Sequence, residues 1–141
     1  LISLDRDEYD KAHFYKMSLG NTQNEEDNEI FDYCVDNSCI TIGFGDSLDF
    51  TNKDSNELRS FGKEKALKPF AIQSMNLFCN YLKTGNYVVI SYGNHYVRAI
   101  GKIVGDYEYV EESPFPNNTT FNHFRKVEWI FTSQCRICIS V

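Results

Sequence analysis

The residues of this chain whose chemistry could do work are five cysteines, three histidines and a pair of adjacent acids, Glu111 and Glu112. Cys135 and Cys138 have the C-x-x-C spacing of a tetrahedral zinc site, and Cys34 with Cys39 is the other clustered pair that could complete it. On a strand, however, positions 135 and 138 point to opposite faces, so the spacing favours buried thiols over a metal centre. His13, His95 and His123 belong to no H-E-x-x-H pattern, and no serine sits in G-x-S-x-G. Gly101-Lys102-Ile103 has the glycine–lysine pair of a phosphate loop but neither its preceding glycines nor a following Ser or Thr. Glu111 and Glu112 stand in a Pro/Asn-rich stretch with no apolar pocket around them, unlike the acid and base of a hydrolase. These patterns predict a module with no catalytic residue, no metal and no cofactor.

Composition narrows the class further. At 141 residues the chain suits one domain, and with 42% hydrophobic and 15% aromatic residues it can build a core. An odd number of cysteines, several in apolar surroundings, fits reduced thiols in the cytoplasm better than a disulfide framework. The apolar runs are too short to span a bilayer, and no secretory pattern opens the chain. The N-x-[ST] patterns at Asn117 and Asn118 are therefore read as chance. The first residue is Leu1, which fits a piece of a longer protein. Net charge is −6, against a non-specific nucleic-acid binder, but it is unevenly placed. Residues 1–57 hold 14 acids and 4 bases (−10), whereas 58–141 hold 10 bases and 6 acids (+4). A basic half could meet phosphates, although such asymmetry is also what an ordinary solvated surface shows.

The elements that must position any site follow from periodicity. Residues 13–19 read as a strand ending at Gly20-Asn21, and Thr22 to Glu25 has capping-box spacing. Ile30, Phe31, Cys34 and Val35 recur at helical spacing, and residues 39–42 form a short β-branched strand closed by Gly43-Phe44-Gly45. Residues 46–63 are polar and read as an exposed loop. Pro69 opens a helix over 69–83 whose apolar face is Ile72, Met75, Cys79 and Leu82, with Gly85 beyond its end. Residues 87–92 and 96–106 read as a hairpin, 110–122 as a loop and 124–132 as a strand. Residues 136–141 are a last strand or a frayed end. The sum is an α+β domain, a small curled β-barrel of about five to six strands with helices at its rim.

An ordered set of segments suggests a family. Phe14-Tyr15-Lys16-Met17-Ser18 with Gly20-Asn21 is followed by Gly43-Phe44-Gly45, then by residues 82–89, 97–103 and 123–129. Their order and spacing over about residues 12–131 resemble the EVE and YTH domains of the PUA-like superfamily. They are most similar to the domain that precedes the AAA+ GTPase in McrB-type modification-dependent restriction systems. The resemblance implies that the chain reads a modified base in DNA, 5-methyl- or 5-hydroxymethylcytosine, by flipping it into an aromatic pocket. It also implies that GTPase and nuclease activities lie elsewhere: the AAA+ GTPase domain in the same full-length chain, the nuclease on a separate subunit. The isolated module is then a monomer. A YTH-type N6-methyladenine reader and an RNA-binding PUA-like domain remain as alternatives. Outside the resemblance, the acidic balance also suits a protein-interaction domain.

The pocket residues implied are Ser18, Asn21, Phe44, Gly45, Asp46, Ser91 and Tyr92. Phe44 stands where these families often carry Trp, so it offers less stacking area. Ser18 matches the family's first-strand Lys/Arg-Ser step only with one insertion. Asn21 by itself is an ordinary turn residue, and Phe44 and Tyr92 could equally be a loop anchor and a surface aromatic. Arg98, Lys102, Arg125 and Lys126 are the expected phosphate contacts, with Arg59, Lys63, Lys65 and Lys68 as a second basic group. Arg98 could equally serve the core side of its strand. Trp129 is expected in the core and His123 in a solvated loop.

Overall fold

A computed structural model describes residues 13–20, 28–93, 96–133 and 139–140. Six strands share one sheet: β1 (Phe14–Met17), β2 (Cys39–Ile42), β3 (Tyr87–Tyr92), β4 (Tyr96–Tyr109), β5 (His123–Thr132) and β6 (Ile139–Ser140). Along the sheet the order is β1-β3-β4-β5-β2, with β6 pairing β4 outside that path. Only β1 with β3 is parallel; β3–β4, β4–β5 and β2–β5 are antiparallel. Irregular register at Ile90/Ser91 and at two places in β4, Ile100/Gly101 and Ile103/Tyr107, bends the long strands. The sheet curls into a half-barrel whose two edge strands are β1 and β2. The fold is thus α+β, as the periodicity predicts.

Three helices close it: α1 (Asn28–Asp36), α2 (Ser55–Glu64) and α3 (Pro69–Asn76). α1 packs on β2 through Ile30, Phe31 and Cys34, the stripe read from the sequence. α2 occupies part of the stretch expected to be a loop. Its apolar stripe is only Leu58, Phe61 and the small Gly62, too narrow to stand out among ten mostly polar residues. Its start is well specified. The Asp54 carboxylate accepts from the Glu57 N–H at 2.8 Å, and the Glu57 carboxylate accepts from the Asp54 N–H at 3.4 Å. At Gly62 a Cβ would fall 2.7 Å from Ile72 Cγ1, so α3 approaches α2 only because that side chain is missing.

The expected helix over 69–83 is α-helical only to Asn76. It continues as one wider turn, Leu77–Tyr81, closed by the Leu82 N–H on the Leu77 carbonyl at 2.8 Å. The core gathers Ile30, Leu58, Met75, Val88, Ile103 and Val127 from all layers. Trp129 is half-buried against that core and donates to the Cys34 carbonyl at 3.0 Å. Among the described residues no helix is long and apolar enough to cross a membrane. The capping box expected at Thr22, and Cys135, Cys138, Asn94 and His95, lie outside the described residues.

Candidate binding site

The unclosed side of the half-barrel, between β1 and β2, is a cavity of about 570 Å³. That volume lies within the ~300–1,000 Å³ of small-ligand sites. Tyr15, Lys16 and Met17 of β1 form one wall, and Thr41 and Ile42 of β2 with Gly43 and Phe44 form the other. Phe78, Leu82 and Val88 make an apolar floor, and Ser18, Ser74, Thr120 and Phe121 complete the lining. A second cavity of about 350 Å³, lined by residues including Asp54, Asp106, Lys53 and Cys79, is polar. Its one thiol is inert, because burial pushes Cys79 up to about 12.

Phe44 is held at the mouth of the first cavity by its two glycine neighbours. A Cβ on Gly43 would meet the Phe121 ring at 2.9 Å. A Cβ on Gly45 would meet His123 Nε2, Met75 Sδ and Phe50 Cε2, each at 2.8 Å. Both glycines therefore press the backbone onto packed rings, and the side chain between them turns outward. Phe44 is 48% exposed and contacts the 66% exposed Phe70 edge to face, with ring centroids 5.3 Å apart. Thr41, on the opposite side of the turn, is fully buried, and its Oγ1 has no hydrogen-bond partner among the described residues. A buried hydroxyl left unmatched costs about 1–3 kcal/mol.

Residues 15–140 match the model of a domain of unknown function (DUF8426). The chain belongs to the DUF8426 family. No curated protein and no solved structure matches it.

Within this DUF8426 fold the residues expected at the pocket separate into three groups. Ser18 and Phe44, far apart in sequence, both line the cavity. Gly45 and Asp46 support it from behind: Gly45 is buried, and the Asp46 carbonyl accepts from His123 Nε2 at 2.7 Å while its side chain is exposed. Ser91 and Tyr92 do not line it. Ser91 is buried and donates to the Met17 carbonyl at 3.4 Å, tying β3 to β1, and the Tyr92 ring faces the Arg98 guanidinium at 5.3 Å. Asn21 lies outside the described residues.

The phosphate assignments need correction at two positions. Arg125 is 2% exposed, and its guanidinium donates to the carbonyls of Gly105 (2.8 Å), Phe78 (2.9 Å) and Leu82. The wide turn after α3 turns two of those carbonyls inward, and Arg125 satisfies them. Arg98 is 4% exposed, with its guanidinium 3.7 Å from the Phe31 ring centroid. Neither can reach a phosphodiester. Lys126 is exposed and Lys102 half-buried on the sheet, and neither lines the cavity.

His123 is also not in a solvated loop. It is fully buried, its Nε2–H donating to the Asp46 carbonyl and its Nδ1 accepting from the Tyr107 hydroxyl at 2.7 Å. Burial lowers its pKa. The Cys34 and Cys39 thiols are buried and hydrogen-bond each other. Among the described residues no three His, Cys, Asp or Glu side chains are placed to hold a metal ion.

Sequence reasoning missed Lys16 and Leu77, which line the cavity, and Phe70, which touches Phe44 at its rim. The signals were present. Lys16 alternates with Tyr15 and Met17 on an edge strand, and Phe70 and Leu77 stand off the Ile72/Met75 stripe.

Proposed function

We propose that this domain is a recognition module that takes an extruded, modified DNA base into the cavity between β1 and β2. The observation that carries the reading is Phe44. The ring singled out from the sequence is half-exposed on the rim of an apolar cavity with room for a base, rather than in the core.

The physical chemistry suits the task. Extruding a base costs a few kcal/mol of stacking and pairing. Stacking on an aromatic ring returns about 1–3 kcal/mol. The floor of Phe78, Leu82 and Val88 offers an apolar slot for a base substituent, worth ~0.8 kcal/mol per buried carbon. Ser18 and Thr120 supply hydroxyls for the polar edge, and Lys16 supplies a cation at the mouth.

The domain is then a PUA-like barrel of the EVE/YTH kind. It serves as the DNA-targeting part of a McrB-type restriction system, with an AAA+ GTPase and a nuclease supplying the chemistry. The ligand expected first is 5-methyl- or 5-hydroxymethylcytosine.

Calorimetric titration with matched oligonucleotides carrying 5-methylcytosine, 5-hydroxymethylcytosine, N6-methyladenine or no modification tests this, with the RNA counterparts alongside. Preference for one modified DNA supports the reading. Equal affinity for modified and plain DNA overturns it, and tighter binding of RNA moves the assignment to an RNA reader.

A further inference from the structure

We infer that Phe70 is the ring that enters the duplex beside the extruded base, which makes double-stranded DNA, not a single strand, the natural partner of this surface. The inference rests on the base-reading function proposed above.

Three observations carry it. Phe70 is the most exposed large apolar residue among those described, at 66%. Single exposed rings are common and mean little alone. This one, however, touches Phe44 on the rim and does not itself line the cavity. It therefore stands outside the pocket, on the side from which a base must come.

The ring is also rigidly mounted. Pro69 opens α3, the Ile72 N–H bonds the Lys68 carbonyl at 3.1 Å, and Ile72 and Met75 are buried one turn on. A wedge must hold its position against the stack it parts, and a helix end anchored this way does so better than a loop.

The segment that leads into the ring is basic. Residues 58–70 carry Arg59, Lys63, Lys65 and Lys68 against the single acid Glu64, a local +3 in a chain of −6. All four bases are exposed. An apolar side chain flanked by cations is the form in which proteins part base steps: the ring replaces lost stacking while the cations hold the strands. A single strand can also stack a base on an exposed ring, but only a duplex leaves a vacated step opposite an orphaned partner for Phe70 to fill, and a free nucleoside offers neither.

The experiment compares Phe70→Ala with the unaltered chain on three probes. These are a duplex with one 5-methylcytosine or 5-hydroxymethylcytosine, the same modified strand alone, and the modified nucleoside. Affinity for the duplex should fall roughly 5- to 150-fold, the contribution of one stacked ring. Affinity for the nucleoside should stay within about two-fold, the scatter expected of an exposed substitution, and the strand should lose clearly less than the duplex; an equal loss on strand and duplex would overturn the preference for a duplex. Phe70→Trp should restore duplex binding, and 2-aminopurine placed next to the modified base should report the unstacking. Equal losses on all three probes would make Phe70 a pocket wall, and no loss on any would leave it without a role; either overturns the inference. If the unaltered chain does not distinguish modified from plain duplex, the base-reading function itself fails. A preference that survives Phe70→Ala intact removes only the wedge.

Discussion

Gly45 lies against His123 so closely that a Cβ at position 45 would stand 2.8 Å from the imidazole Nε2. That nitrogen is already committed to the Asp46 carbonyl, one residue on. The contact locks the turn that presents Phe44, so a buried histidine on β5 sets the orientation of an exposed ring on the cavity rim.

Gly45→Ala should therefore destabilise the fold by about 1–3 kcal/mol, the usual cost of overpacking. His123, Met75 and Phe50 must all give way together, and His123 is pinned by hydrogen bonds at both nitrogens. Denaturant titration measures the loss. A variant as stable as the parent would show that the turn has slack and does not hold Phe44.

Phe44→Ala separates binding from folding. The ring is half-exposed, so stability should change by no more than about 0.5 kcal/mol. Binding of the modified duplex should weaken by about 1–3 kcal/mol. Calorimetry and thermal unfolding on one sample give both numbers. An unfolded variant would mean that the ring belongs to the core.

Thr41→Val should raise stability without touching binding. The substitution keeps the shape and removes a hydroxyl with no partner among the described residues, so the fold should gain about 1–3 kcal/mol. Affinity for the modified base should stay within about two-fold, because the hydroxyl is closed to the cavity. Thermal unfolding and calorimetry check both halves; a loss of affinity would show that the cavity opens onto Thr41 when a ligand binds.

Arg125→Ala should cost at least about 2 kcal/mol in stability, because it leaves the carbonyls of Phe78, Leu82 and Gly105 buried without their donor. The Leu77–Tyr81 turn should show the largest rise in amide exchange. Lys126→Ala, by contrast, should leave stability unchanged within about 0.5 kcal/mol, since Lys126 is exposed on the same strand.

Acid should weaken the domain through His123. Burial lowers its folded pKa below the ordinary value of about 6.5. Between that value and the lower folded one, the unfolded chain binds a proton that the native state refuses. Stability therefore falls as pH drops through this window and levels off below the folded pKa. Thermal unfolding from pH 7.5 to 4.5 measures the slope, and NMR of the imidazole should show it still neutral below pH 6.5. A His123 resonance that titrates at or above its free value would contradict the burial argument.

Much of the fold was legible from local pattern alone. The α1 stripe, the β-branched run of β2, the proline at the start of α3 and the alternation of β5 each declare themselves within a few residues. The Asp54–Glu57 capping box was legible too, but the helix behind it buries so little apolar surface that its polar face hides it. Phe44 and Ser18 could be picked out as residue types in turns. Their shared cavity could not, because it depends on which strands stand at the edges of a curled sheet.

By itself, the sequence determined the class of this molecule: an α+β domain with a core, no catalytic signature and an aromatic ring isolated between glycines. Tertiary structure alone decided what each cation and each ring is for. Charge alone would send Arg98 and Arg125 to phosphates, although alternation sets Arg125 on the face of Val127 and Trp129; the fold draws both inward, one over an aromatic ring and the other onto freed carbonyls. Phe44 stands between glycines and Phe70 off the Ile72/Met75 stripe, but only the fold sets these two solvent-facing rings edge to face. The reason is that burial depends on which groups are brought together across the fold: an unpaired carbonyl draws in a guanidinium, and a backbone pressed onto its neighbours turns a ring out.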